Sequence, residues 1–349
     1  MPENNKLLIV YNPWRKYHGS LLEHMIENLK AAGVEVDFVD FSPLTPFKNS
    51  NLWNKLKNIY HRNINHNKNY ILKIENEHFN KQFREIFKTI LKKEVKYENI
   101  LIIKPEEYSP KTITLLQAIC KNKIVGYLWD GIRPHFVSNL HKSRSLLQKL
   151  YSFDKNDIMN YPNLKMDFYT NFSPFENRII PYNNRDTDLF YIGGIGGKQI
   201  EQRRDLMLEK FLADFKGNLD INIFIHDHEE SLKIPSKNIQ YTKHFLSLWD
   251  SLEKTRNAKC VLDLCKNHHI GLSFRFFDCL STETKIITNN KDVAKYDFYS
   301  PENIMIINFE KEILNTRLFK EFIEKPYKKI TENIVSKYRI DNWTRNLFK

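Results

Sequence analysis

Short apolar runs alternate with helix-period stripes along this chain. KLLIVY (residues 6–11) reads as a buried strand, residues 21–32 as a helix closed by Gly33, and VEVDFVDF (34–41) as a second strand. NILIIK (99–104) is a third, and Ser109 as cap with Pro110 in the first turn opens a helix over 110–121. KIVGYLW (123–129) is a fourth strand, with YSFD (151–154) and MDFYT (166–170) as two short ones. Leu52, Leu56 and Ile59 (or Tyr60) share one helical stripe, and Phe79, Phe83, Phe87 and Leu91 share another. Two amphipathic helices follow, joined by the polar loop HRNINHNKN (61–69).

After a Pro- and Asn-rich stretch at 173–186, which reads as a linker, the alternation starts again. DLFYIGG (188–194), DINIFIHD (220–227), KCVLDL (259–264), KIITN (285–289) and NIMIIN (303–308) read as strands. Helices are predicted over 203–215, 246–257 and 272–280, and the sequence is helical and net basic from Lys320. This pattern predicts an α/β fold of two doubly wound, Rossmann-like domains facing a central cleft. The expected bounds are 1–180, 181–320 and a set of C-terminal helices over 321–349, the last returning to the N-terminal domain.

Charge changes the picture at one place. The 349 residues carry a net +12, and residues 48–96 alone hold 12 Lys/Arg against 4 acidic residues. Either these are two ordinary helices with solvated basic faces, or the segment rests on an anionic inner-membrane surface or a lipid-linked acceptor. No nucleic-acid partner is expected, because the aromatics follow buried-face periodicity and are not interleaved with the basic residues. The four cysteines (Cys120, Cys260, Cys265, Cys279) form no C-x-x-C pair, so neither a zinc cluster nor a disulfide framework is signalled. No apolar run approaches the roughly 18 residues of a membrane span. The first strand also begins too early for a signal peptide. A cytoplasmic protein is expected, peripheral at the inner face of the membrane if the basic segment binds there.

Several motifs fail on spacing. GGIGGK (193–198) lacks both the Walker spacing and G-x-G-x-x-G. HDHEE (226–230) has metal-ligand residue types, but adjacent side chains in a strand-ending loop diverge. DTD (186–188) precedes its strand and reads as a linker turn, and His268 and His269 sit in a polar loop. No metal or cofactor is expected. Two signals survive. Gly193 and Gly194 end a strand before a glycine-rich turn and a helix, which lets an anionic ligand approach backbone N–H groups, with Arg203 and Arg204 one turn on. Further along, a loop with Gly271 leads into a helix carrying Arg275 in its first turn and Asp278 three residues later. A first-turn arginine opposes the helix macrodipole and makes sense if an anion sits there; the alternative is a surface i,i+3 ion pair.

The run from Tyr191 to Ile307 resembles the nucleotide-binding half of bacterial GT-B glycosyltransferases of lipopolysaccharide, capsule and spore-coat assembly, the CgeB-like group. The resemblance rests on YIGGIGGKQIEQRR, VLDL (261–264) and GLSFRFFDCLSTETKIITNN in that order. It extends to YLWDGIR (127–133), to YSFDKNDIMNYPNLKMDFY (151–169) and to YRIDNW (338–343). It implies that Gly271, Ser273 and Arg275 meet the diphosphate of a nucleotide-sugar donor and Asp278 its ribose. Gly193 and Gly194 would let the donor phosphates or acceptor approach, with Arg204, or else Arg203, adding charge. The family's carboxylate at this helix is usually Glu, so Asp278 is a shorter arm. The second glutamate that related retaining enzymes place eight positions earlier is Ile270 here, which tilts the expectation toward inversion. The implied acceptor is a cell-surface glycan or glycolipid.

Such a transfer needs a base on the acceptor side. Asp130, ending the strand KIVGYLWD, is the first candidate and His18, after the first strand, the second; a turn or cap role for Asp130 is the alternative. Two other activities suit the same scaffold: a polyol-phosphate transferase using a CDP donor, and a nucleotide-sugar epimerase.

Overall fold

The structure, a computed structural model, describes residues 6–12, 19–48, 52–65, 69–133, 135–175, 178–196, 203–244, 246–265, 270–308 and 315–349. It divides into two compact units, Met1–Thr170 with Thr344–Lys349, and Asn171–Trp343.

The first unit is built on six parallel strands: β1 (Leu7–Val10), β2 (Val36–Phe38), β3 (Tyr97–Ile103), β4 (Cys120–Leu128), β5 (Lys149–Ser152) and β6 (Asp167–Phe168). Their order is β2-β1-β3-β4-β5-β6. The chain therefore steps to one side of β1 and then crosses to the other, and the reversal lies between β1 and β3. Helices α1 (Gly19–Ala31), α2 (Leu52–Asn63), α3 (Tyr70–Lys92), α4 (Pro110–Gln117), α5 (Val137–Ser143) and α6 (Lys155–Asn160) belong to this unit. Strand β1 is buried along its whole length, and Leu8, Val10, Ile100 and Ile102 join Phe79, Phe83 and Phe87 of α3 in one core. That is the stripe expected of α3, four residues apart on one helical face. Ser109 occupies the cap position of α4 without a side-chain capping bond; its hydroxyl instead meets the Thr112 hydroxyl at 2.8 Å.

Helix α2 differs from expectation. Its apolar stripe faces outward: Trp53 is 70% exposed, Leu56 50%, Ile59 55% and Tyr60 51%. Asn54, Asn58 and His61 are the half-buried positions. The helix also runs on to Asn63, so the polar loop expected from residue 61 starts later.

The second unit repeats the plan with β7 (Thr187–Gly194), β8 (Leu219–Phe224), β9 (Ile239–Thr242), β10 (Ala258–Asp263), β11 (Lys285–Thr288) and β12 (Ile304–Ile306). The order β12-β11-β10-β7-β8-β9 puts the reversal between β7 and β10. Its helices are α7 (Arg204–Phe211), α8 (Leu248–Asn257), α9 (Phe274–Thr282), α10 (Thr316–Glu324) and α11 (Glu332–Tyr338). Helix α12 (Ile340–Leu347) follows, and its end belongs to the first unit. There Lys123 Nζ donates to the carbonyls of Phe348 (2.7 Å) and Lys349 (3.0 Å). The expected return of the C-terminal helix is thus present. Strand β9 was not foreseen: IQYT is short and half polar, as suits the edge of a sheet.

The stretch read as a linker carries a buried anchor. Arg185, 4% exposed, donates to the carbonyls of Ile180 (3.2 Å), Ala258 (3.0 Å) and Thr282 (2.8 Å) and to the Thr284 hydroxyl (2.9 Å). Thr282 is the last residue of α9, so the guanidinium also meets the negative end of that helix.

Candidate functional site

In an open parallel sheet, ligands bind beyond the carboxyl ends of the strands where the strand order reverses. In the second unit that point is where β7 ends in Gly193 and Gly194 and β10 ends in Asp263. Helix α9 begins beside it, and its cap residue Ser273 makes no side-chain capping bond. Instead the Ser273 hydroxyl donates to Asp263 Oδ1 at 2.8 Å. Arg275 Nη1 donates to the same oxygen at 3.3 Å, and the Thr288 hydroxyl donates to Asp263 Oδ2 at 3.1 Å. Arg275 Nη2 reaches the carbonyl of Ile192, and the guanidinium carbon stands 5.5 Å from the centre of the Tyr191 ring. Arg275 Nε is buried and has no partner among the described residues, while Nη1 and Nη2 each keep a second N–H.

This geometry rules out the plain i,i+3 ion pair between Arg275 and Asp278: Arg275 points to β7 and β10. The half-buried Asp278 carboxylate accepts no hydrogen bond from any described residue. Burial pushes its pKa up to about 7, an effect that Arg275 and Arg256 partly offset. Near neutral pH this carboxylate is therefore poised between its two protonation states.

The neighbouring predicted residues fall around the same edge. Arg204 Nη1 donates to the Gly194 carbonyl at 3.1 Å. Arg204 and Arg275 both lower the pKa of the buried Tyr191 hydroxyl, which burial raises more. Gly193 has a steric reason to be glycine, since a Cβ there would lie 2.4 Å from the Tyr191 hydroxyl oxygen. The Gly271 carbonyl accepts from the Asn290 amide at 3.3 Å, which ties the loop before α9 to the segment after β11. Arg203, by contrast, turns away: its guanidinium forks onto Asp205 and reaches the Leu232 carbonyl, so its charge is already neutralised. Lys198, His268 and His269 lie outside the described residues.

Asp263 is the member that the sequence reading passed over. Its place, the last residue of the strand VLD at the reversal point, was the available signal. Being 2% exposed and charged, it needs its three donors, and they fix the Arg275 side chain and the start of α9 together. Asp263→Asn keeps the shape but loses the charge that holds Arg275. We expect stability to drop by roughly 1–2 kcal/mol, read by thermal melts.

In the first unit the reversal point lies beyond β1 and β3. Asn12 follows β1; the turn Pro105–Glu107 follows β3, entered through Lys104 in the left-handed region with φ 55°. Glu107 accepts from Asn12 at 3.4 Å and from Arg133 at 3.3 Å. Asp130, just past β4, is half exposed and pairs at 3.2 Å with Lys104, whose side chain is only 3% exposed. His18 lies outside the described residues. Sequence reading missed Glu106 and Glu107 because two adjacent acids after a strand look like an ordinary turn.

Glu106 is fully buried, and its Oε2 has no partner among the described residues. Burial, reinforced by Glu107 and opposed by Lys104 and Arg133, pushes its pKa up to about 8 from 4.5. Between those values the folded protein holds a proton that the unfolded chain has released. Stability from this group is therefore full below about pH 4.5 and is lost as pH rises toward 8, by up to about 1.4 kcal/mol per pH unit. Glu106→Gln should flatten the fall in melting temperature across that window, checked by melts at several pH values.

Among the described residues, no group of three or more His, Cys, Asp or Glu side chains stands close enough to hold a metal ion. His226 and Glu229 of the HDHEE run form a reciprocal capping box, and Asp188 of DTD binds Lys259 at 2.7 Å. No described helix is long and apolar enough to cross a membrane.

Two doubly wound parallel-sheet units with a C-terminal helix shared between them define a GT-B type of fold. Solved structures agree. An α-glucosyltransferase in complex with UDP-glucose and DNA containing an abasic site superposes with a TM-score of 0.53 at 12% identity, covering 99% of both chains. A glycosyltransferase from Rickettsia africae gives 0.52 at 11% identity, covering 99% of this chain and 97% of that one. An α-glucosyltransferase in complex with UDP and a DNA 13-mer gives 0.52 at 11%, covering 99% and 92%. No protein-family model matches the chain, and no curated protein matches it in sequence.

Proposed function

We propose that this chain is a glycosyltransferase that moves a sugar from a nucleotide-sugar donor to a cell-surface glycan or glycolipid. The observation that carries this reading is Arg275. It is held by Asp263, Ile192 and Tyr191 at the β7/β10 reversal point, beside the start of α9, with its side chain still 27% exposed. A departing nucleoside diphosphate would gain that guanidinium and the α9 N-terminus together, which meets its charge without a metal ion.

In this scheme Gly193 and Gly194 leave room for the phosphates, Arg204 adds positive potential, and Gly271 and Ser273 shape the turn before the helix. Asp278 accepts from the ribose hydroxyls. Asp130, at the end of β4, is the base for an inverting transfer. It sits at a carboxyl edge, it is half exposed, and Lys104 holds it in place at 3.2 Å. His18 is the second choice. The acceptor is a lipopolysaccharide, lipooligosaccharide or capsule precursor, met at the inner face of the cytoplasmic membrane through the basic segment 48–96.

A thermal-shift panel with UDP, GDP, CDP, CMP and dTDP tests the donor assignment. The solved structures with bound UDP and UDP-glucose make UDP the first choice. At about 100 times its Kd, one nucleotide should add about 2.7 kcal/mol of apparent stability. A flat response across the panel would overturn the donor site, and a response confined to CDP and CMP would move the reading to polyol-phosphate transfer.

A further inference from the structure

Helix α2 is mounted with its apolar side outward. At about 100° per residue, Trp53, Leu56, Ile59 and Tyr60 fall within an arc of about 120°. Ile64, just past the helix, continues it. These five side chains are 50 to 70% exposed and contiguous, whereas the other described large apolar residues in that range, Met159 and Leu318, stand singly. Asn54, Asn58 and His61 form the opposite, half-buried side, and the His61 ring stacks on Tyr70 of α3 at 3.9 Å. A helix folded only for its own domain would be turned the other way round, because burying polar amides while exposing Trp and Ile costs free energy on both faces.

The charges flanking the arc identify the occupant. Lys55, Lys57 and Arg62 are exposed at its two edges, and no acidic residue occurs between Asp40 and Glu75. We infer that α2 is an interfacial helix that lies in the headgroup region of an anionic phospholipid bilayer. Its aliphatic side chains reach the acyl boundary, Trp53 and Tyr60 sit at headgroup level, and the flanking cations meet lipid phosphates. A second copy of this chain would bring the same cations against themselves. Nucleic acid would meet the cations but leave Leu56, Ile59 and Ile64 without an apolar partner. This deepens the membrane-surface part of the proposed function, and its test uses neither donor nor acceptor, so its failure would leave the donor site standing.

The test is co-sedimentation of the full chain with vesicles of phosphatidylcholine and phosphatidylglycerol in equal parts, compared with phosphatidylcholine alone. The wild type should partition onto the mixed vesicles, and the triple variant Trp53→Ser, Leu56→Ser, Ile59→Ser should partition about tenfold less or weaker still. Lys55→Glu, Lys57→Glu and Arg62→Glu together should abolish the preference for the anionic vesicles. Should the serine variant fail to fold, quenching of wild-type fluorescence by brominated lipid, with Trp53→Phe as the reference, reports the same insertion. Equal sedimentation of wild type and serine variant, or a wild type that stays in the supernatant, would overturn the inference. So would a self-association or a duplex-DNA affinity that the serine variant abolishes while vesicle binding is unchanged.

Discussion

Arg275→Ala is expected to lower kcat/KM for the nucleotide-sugar donor by about a hundred- to a thousandfold, the range seen when one preorganised donor to developing charge is removed. The physical reason is the way the side chain is held. Its two terminal nitrogens are fixed by Asp263 and the Ile192 carbonyl, and its plane lies by the Tyr191 ring. The guanidinium therefore loses little freedom when a diphosphate arrives. Stability should also fall, by roughly 1–3 kcal/mol, because the buried Asp263 loses its cationic partner and keeps only the Ser273 and Thr288 hydroxyls as donors. Arg275→Lys should recover only a small part of the activity. A lysine carries the charge but cannot satisfy Asp263 and Ile192 together and still present a donor to a phosphate. Donor kinetics together with melts separate this outcome from simple unfolding.

Arg185→Ala should have the largest effect on stability. The guanidinium has no carboxylate partner among the described residues; burial depresses its pKa, and it rests on three carbonyls and one hydroxyl. Alanine would leave those acceptors buried without donors and remove the cation from the carboxyl end of α9. A loss of about 3–5 kcal/mol follows, and for a unit of this size a fall of about 10 °C in melting temperature. Because Arg185 holds the foot of α9 and Arg275 its head, the variant should still bind nucleotide at low temperature. Calorimetric melts with and without nucleotide check both halves of the prediction.

The contrast between these two arginines shows what the sequence made legible. Arg275 could be found because a helix start, a preceding glycine loop and an ill-matched first-turn charge are all local. Arg185 could not, since its four acceptors come from Ile180, Ala258, Thr282 and Thr284, three of them some 70 to 100 residues away. Its own neighbourhood, rich in Pro and Asn, gives the pattern of a linker. Asp263 was visible as the end of a strand, but its role depends on β10 lying beside β7, which is a matter of strand order and not of periodicity.

Helix α2 is the opposite case. Periodicity correctly gave its stripe, yet a stripe carries no sign: the same Leu56 and Ile59 would serve a core or a surface. Only the placement of Asn54 and Asn58 against the protein decides between them. The twofold α/β plan was readable almost throughout because parallel strands are buried on both faces and appear as continuous apolar runs. The exceptions, IQYT at the sheet edge and the Glu106–Glu107 turn, are the places where polar residues break that rule.

Arg275, set by Asp263 at the β7/β10 edge, is proposed to hold the diphosphate of a nucleotide donor. Calorimetric titration of the wild type and Arg275→Ala with nucleoside diphosphates tests this role most directly. Saturable one-to-one binding of one nucleoside diphosphate by the wild type, weakened about a hundredfold in the variant, is the predicted result. Equal affinity in the two proteins, or no binding of any nucleoside diphosphate by the wild type, would contradict it.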